Sequence, residues 1–84
     1  MITVNVLFFA RLRESLETDR LIVTLDDGET AADLLTRLAG RGSAWAQLTE
    51  GPTVMIAVNQ TMVRATTALQ DQDEVALFPP VTGG

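Results

Sequence analysis

Ile2, Val4, Val6 and Phe8 alternate with Thr3, Asn5, Leu7 and Phe9. A period of two in a stretch rich in β-branched residues predicts a strand with Ile/Val/Val/Phe on its core face. The opposite face turns apolar towards its end, at Leu7 and Phe9. Ala10 to Leu16 (ARLRESL) consists mostly of good helix formers and predicts one or two turns. A second strand is expected over Arg20 to Leu25, with Leu21, Val23 and Leu25 on one side and an Asp26-Asp27-Gly28 turn after it. Thr30 stands three residues before Asp33, a capping box in which Asp replaces the usual Glu. Ala31, Leu34, Leu35 and Leu38 then recur at i, i+3, i+4 and i+7, so the main helix is expected from Ala31 to about Ala39. Gly40 or Gly42 ends it.

Beyond that helix the pattern is weaker. Ser43 to Leu48 predicts a short extra turn carrying Trp45, a core or lid aromatic, and Thr49-Glu50-Gly51-Pro52 reads as a loop. A third strand is expected over Thr53 to Val58, with Val54, Ile56 and Val58 facing in. Asn59-Gln60 reads as a tight turn into a short fourth strand, Thr61 to Val63. Ala65 to Asp73 is polar loop anchored by Leu69, and Glu74 to Phe78 is a fifth strand stopped by Pro79-Pro80. One main helix across a mixed five-stranded sheet is an α+β two-layer sandwich. The ubiquitin-like β-grasp has this element order and length. The division expected is a folded domain over residues 1–78 and a flexible C-terminal tail over 79–84.

Composition narrows the chemistry. The chain has 84 residues, which is one domain, and 46% of them are hydrophobic, enough for one core. Cys, His, Tyr and Lys are absent. That removes thiolate and imidazole ligands, a thiol nucleophile, the commonest general base and a lysine Schiff base. The net charge is −5, so a nucleic acid or an anionic membrane is not the expected partner; a protein with a basic face is. The acidic pairs Asp26-Asp27 and Asp73-Glu74, with Asp71 nearby, lack the spacing of a metal loop and read as turns, so no metal is expected. No run is long and apolar enough to span a membrane, and no targeting segment stands out, so the expected location is cytoplasmic.

The tail is Pro79-Pro80-Val81-Thr82-Gly83-Gly84. Two prolines hold a chain extended and leave it little entropy to lose on docking. Two glycines have no side chains, so such a terminus can thread a narrow channel. Its carboxylate is ionised at neutral pH and can attack the α-phosphorus of ATP. Once activated, a bare glycyl carbonyl accepts a nucleophile. A diglycine alone also fits a frayed terminus; the prolines and the strand that ends there set this one apart.

Asp73-Glu74-Val75-Ala76-Leu77-Phe78-Pro79-Pro80-Val81-Thr82-Gly83-Gly84 closely resembles the C-terminus of molybdopterin synthase small subunits. Ala57-Val58-Asn59-Gln60 and Val6-Leu7-Phe8-Phe9-Ala10 resemble further signatures of that family, and Arg41 to Pro52 is the weakest stretch. The resemblance implies a β-grasp sulfur carrier that is not an enzyme on its own. Gly84 would be adenylated by an E1-like enzyme using ATP and then converted by a sulfur donor to a thiocarboxylate, a 1-thioglycine. Gly83 would be its slim neighbour. No cofactor would be bound permanently. The charged tail would enter the large subunit and pass sulfur to cyclic pyranopterin monophosphate, within a heterotetramer of two small and two large subunits. Phe9, Met62 and Phe78, which parity places on the less buried sheet face, are either edge-of-core packing or a partner patch. The resemblance favours the patch and adds Arg13, Pro79, Pro80, Val81 and Thr82 to the partner-binding residues. Arg13 taken alone reads as a solvated helix charge. The other readings are a thiamine-pathway sulfur carrier, a ubiquitin-like modifier joined through Gly84 to lysines, and a β-grasp interaction module with an inert tail.

Overall fold

The structure, a computed structural model, describes residues 1–51 and 53–80. Its elements are β1 (Ile2–Phe8), α1 (Ala10–Leu16), β2 (Arg20–Leu25), α2 (Ala31–Ala39), α3 (Gln47–Glu50), β3 (Met55–Val58), β4 (Thr61–Met62) and β5 (Glu74–Phe78). The five strands form one mixed sheet in the order β2-β1-β5-β3-β4. β1 runs parallel to β5, and the other pairs are antiparallel. The β-grasp order expected from the pattern is therefore present.

Alternation fixes the two faces. Ile2, Val4, Val6 and Phe8 of β1, Val23 and Leu25 of β2, Ile56 of β3, and Val75 and Leu77 of β5 are all buried. They meet Ala31, Leu34 and Leu38 of α2, the predicted stripe, together with Leu12 and Leu16 of α1. Leu69 anchors the long loop into this core at 2% exposure. Trp45 lies at the core edge, with its ring T-shaped to Phe8 at 5.5 Å and Arg41 stacked over it at 4.7 Å.

The capping box at α2 forms as expected: the Thr30 hydroxyl accepts from the Asp33 N–H, and Asp33 accepts from the Thr30 N–H. Two further N–H groups of that first turn, Ala31 and Ala32, donate to the Thr67 and Ala65 carbonyls. The polar loop thus takes up donors that a helix start leaves unpaired. At the start of the chain, the Met1 ammonium sits 3.0 Å from Asp27, and that hydrogen bond raises its pKa.

Three boundaries differ from expectation. The short third helix runs over Gln47–Glu50, not Ser43 to Leu48. β3 begins at Met55 rather than Thr53, because its ladder with β5 ends at the Met55–Phe78 pair and Pro79 follows. β4 ends at Met62 rather than Val63. Among the described residues, no helix is long and apolar enough to cross a membrane.

Candidate functional site

The strand that leads into the tail is central. β5 is bonded on one side to β1 and on the other to β3. Because β1 and β5 are parallel, the end of β1 lies beside the end of β5. The Phe9 N–H donates to the Leu77 carbonyl at 3.1 Å, which ties the start of α1 to the last turn of ladder before the tail. On the other flank Met55 opposes Phe78.

A cleft of about 510 Å³ opens at this exit. Pro79 and Pro80 form part of its wall, with Ala10, Leu12 and Val54 as further apolar lining and Arg11, Glu14 and Gln47 at polar positions. Both prolines are half-buried. Val81, Thr82, Gly83 and Gly84 lie outside the described residues, as does most of the tail whose flexibility the sequence suggested.

The sheet face turned away from the helices is largely apolar on the β5 side. Register places Met62, Ala57, Ala76 and Leu7 in one row across four strands, ending at Arg20. Met55 and Phe78 form the next row towards the exit. Phe78 is half-buried, whereas Met62 is 50% and Phe9 44% exposed. Parity therefore placed Phe78 and Met62 correctly on the outer face, and Phe9 lies exposed at the exit. Arg13 is exposed on α1, outside the lining of the exit cleft. The sequence reading did not single out Met55, which sits directly across from Phe78. Only the strand register reveals that neighbour. It also passed over Arg11, Glu14 and Gln47, which come from two separate helices and share no local pattern. Among the described residues, no group of three or more acidic side chains converges as a metal site would require.

The turn preceding β5 is stitched to the β3–β4 turn. Asn59 donates from its side-chain amide to Asp73 Oδ1 at 2.9 Å and accepts from the Glu74 N–H at 3.0 Å. Its own N–H donates to the Glu74 carbonyl at 2.8 Å. Asn59 thereby pins the first residue of the strand that leads into the tail. The Ala57-Val58-Asn59-Gln60 signature acquires a physical meaning: two strand residues, then a positive-φ turn whose first member reads the start of β5.

Similarity to known proteins agrees with this arrangement. The ThiS family model matches residues 6–84. The molybdopterin synthase sulfur carrier subunit of Haemophilus influenzae is 42% identical over 80 residues, covering 95% of this chain and 98% of that one. The same subunit of Escherichia coli is 44% identical over 81 residues, covering 96% and 99%. Among solved structures, a Pyrococcus furiosus protein described as molybdopterin converting factor subunit 1 superposes with a TM-score of 0.82 at 31% identity, covering 96% of this chain and 100% of that one. Small archaeal modifier protein 1 of Haloferax volcanii also gives 0.82, at 26% identity and the same coverage. The chain belongs to the ThiS family, where it groups with the molybdopterin synthase sulfur carrier subunits.

Proposed function

We propose that this chain carries sulfur as a thiocarboxylate on Gly84 and delivers it inside the large subunit of molybdopterin synthase. It is a sulfur carrier subunit of that synthase. The observation that supports the chemistry is a diglycine terminus two residues beyond the pair of prolines that follows the central strand of the sheet. In the first step a terminal carboxylate oxygen bonds to the α-phosphorus of ATP, and pyrophosphate leaves. In the second, hydrosulfide supplied by a sulfur donor adds to the acyl carbon, AMP leaves, and the carbon–sulfur bond of a thiocarboxylate remains. An E1-like enzyme houses both steps. The resulting thiocarboxylate then transfers its sulfur to cyclic pyranopterin monophosphate in a pocket that the large subunit supplies. Within this reading Phe78, Met62 and Phe9 form the apolar contact, with Arg13 at its edge. Pro79, Pro80, Val81 and Thr82 line the route, and Gly83 keeps the last segment thin. The chain itself holds no permanent cofactor.

The test is intact-mass spectrometry after incubation with a cognate E1-like enzyme, ATP and a sulfur donor. A carrier gains the mass difference between sulfur and oxygen on its last residue. The archaeal modifier neighbour favours a second reading, attachment through the same glycine to lysines of other proteins. This chain has no lysine, so such adducts cannot form on itself. Larger conjugates without the sulfur increment would replace the carrier reading with the modifier one.

A further inference from the structure

At the far edge of the sheet from β4, β2 has only one neighbour, β1. The Phe8 N–H donates to the Asp19 carbonyl, which sets the alternation of the antiparallel ladder that follows. Leu21, Val23 and Leu25 accordingly direct their backbone groups to β1, and Arg20, Ile22 and Thr24 direct theirs outward. The six-residue register is unbroken by a bulge, and β2 contains no proline. Natural sheets blunt such edges with bulges, prolines or charges. Here the middle of the edge is Ile22, with 68% of its surface exposed.

We propose that β2 pairs antiparallel with β2 of a second copy of this chain, joining two five-stranded sheets into one. The two-fold axis passes beside Ile22, so that Ile22 faces Ile22 of the second copy as a hydrogen-bonded pair. Arg20 then opposes Thr24 of the second copy, and Thr24 opposes its Arg20. These three pairs use the outward N–H and C=O groups of all three residues. The charge pattern is self-complementary about this axis. Arg20 stands at one end of the strand and Asp26 just beyond the other. Antiparallel pairing brings each arginine diagonal to Asp26 of the other copy, a separation of about 7–8 Å between backbones that a long side chain spans. Among the described residues Arg20 forms no ion pair, and Asp26 is exposed. β2 is two strands from β5, so the pairing leaves the tail exit and the Phe78–Met55 face open.

The experiment is sedimentation equilibrium of the full chain up to about 1 mM, the range of a weak association, with amide hydrogen exchange at low and high concentration. The expected result is a dimer whose formation slows exchange at Arg20, Ile22 and Thr24. Arg20→Asp and Asp26→Arg should each weaken it about tenfold, and the double variant should restore it, since the diagonal pairs re-form with reversed sign. Ile22→Lys, which sets like charges directly opposite, should abolish it. All four positions changed or read out are exposed, and thermal melts verify that each variant remains folded. A monomer throughout the range overturns the proposal. So does a dimer indifferent to these substitutions, or one in which the double variant is no better than either single change.

Discussion

Gly51 has room for a hydrogen and little more. A Cβ at this position would stand 2.8 Å from the Gln47 carbonyl oxygen, well inside van der Waals contact with backbone that cannot move aside. Gly51→Ala should therefore cost about 1–3 kcal/mol of folding stability, in the range of overpacking. Chemical denaturation of the variant measures this, and an unchanged midpoint would mean that the turn closing α3 shifts to admit the methyl group without cost. Gly84 poses the opposite case, a residue whose value lies in reach. Deleting it shortens an extended chain by about 3.5 Å, and misplacing a reacting group by about 1 Å can cost roughly 100-fold in rate. The deletion should abolish thiocarboxylate formation, and so should one residue added after Gly84, while the melting temperature of both stays at the parent value. Near-normal molybdopterin synthesis by either variant in a reconstituted synthase would remove Gly84 from the role of carrier.

Elements differ in how far local pattern determines them. β1, α1, β2, α2 and β5 begin and end where periodicity and caps place them, because each has a complete apolar face or a capping residue of its own. β3 is different: Thr53 and Val54 continue the alternation, yet the strand starts at Met55 because its partner β5 gives out at Pro79. A strand boundary set by the neighbour's last hydrogen bond is not written in the strand itself. The third helix, Gln47–Glu50, departs from its expected bounds for a related reason. The Gly-Pro step after Glu50 signals a loop, but Gly51 closes the helix by donating its N–H to the Gln47 carbonyl. The apolar face across β3, β4 and β5 was legible from parity, whereas the pairing of Met55 with Phe78 needed the register. The hinge between these strands is Asn59-Gln60, both at positive φ. Positive φ at both central residues is the two-residue hairpin geometry that suits sheet twist. Asn59→Ala keeps an unfavourable backbone while losing two side-chain hydrogen bonds, and should cost about 1–3 kcal/mol. Asn59→Gly, which relieves the backbone, should recover part of that loss in the same thermal-melt series; equal losses would show that the turn conformation is not what Asn59 supplies.

At the scale of the molecule, charge and greasiness are segregated. Apart from Arg20 and Glu74 at strand starts, the charged residues lie on turns, loops and helices, while the row from Met62 to Leu7 and the Met55–Phe78 row carry no charge. A partner that desolvates this face would lose about 2 kcal/mol or more of binding when an anchor is replaced by a charge. Phe78→Glu should thus weaken association with the large subunit by calorimetry and leave the melting profile close to the parent, since the ring is only half-buried. Collapse of the fold would instead assign Phe78 to the core. The parallel pairing of β1 with β5 also has a mechanical consequence. A pull on the C-terminal segment against the N-terminus loads these two strands lengthwise in opposite directions, so their ladder bonds bear the force together rather than one after another. β3 holds the other flank of β5 under the same load. Under the proposed function the tail passes from one protein's pocket to another's, and its attachment to the part of the sheet least able to unzip means that tension on it draws the whole domain along intact.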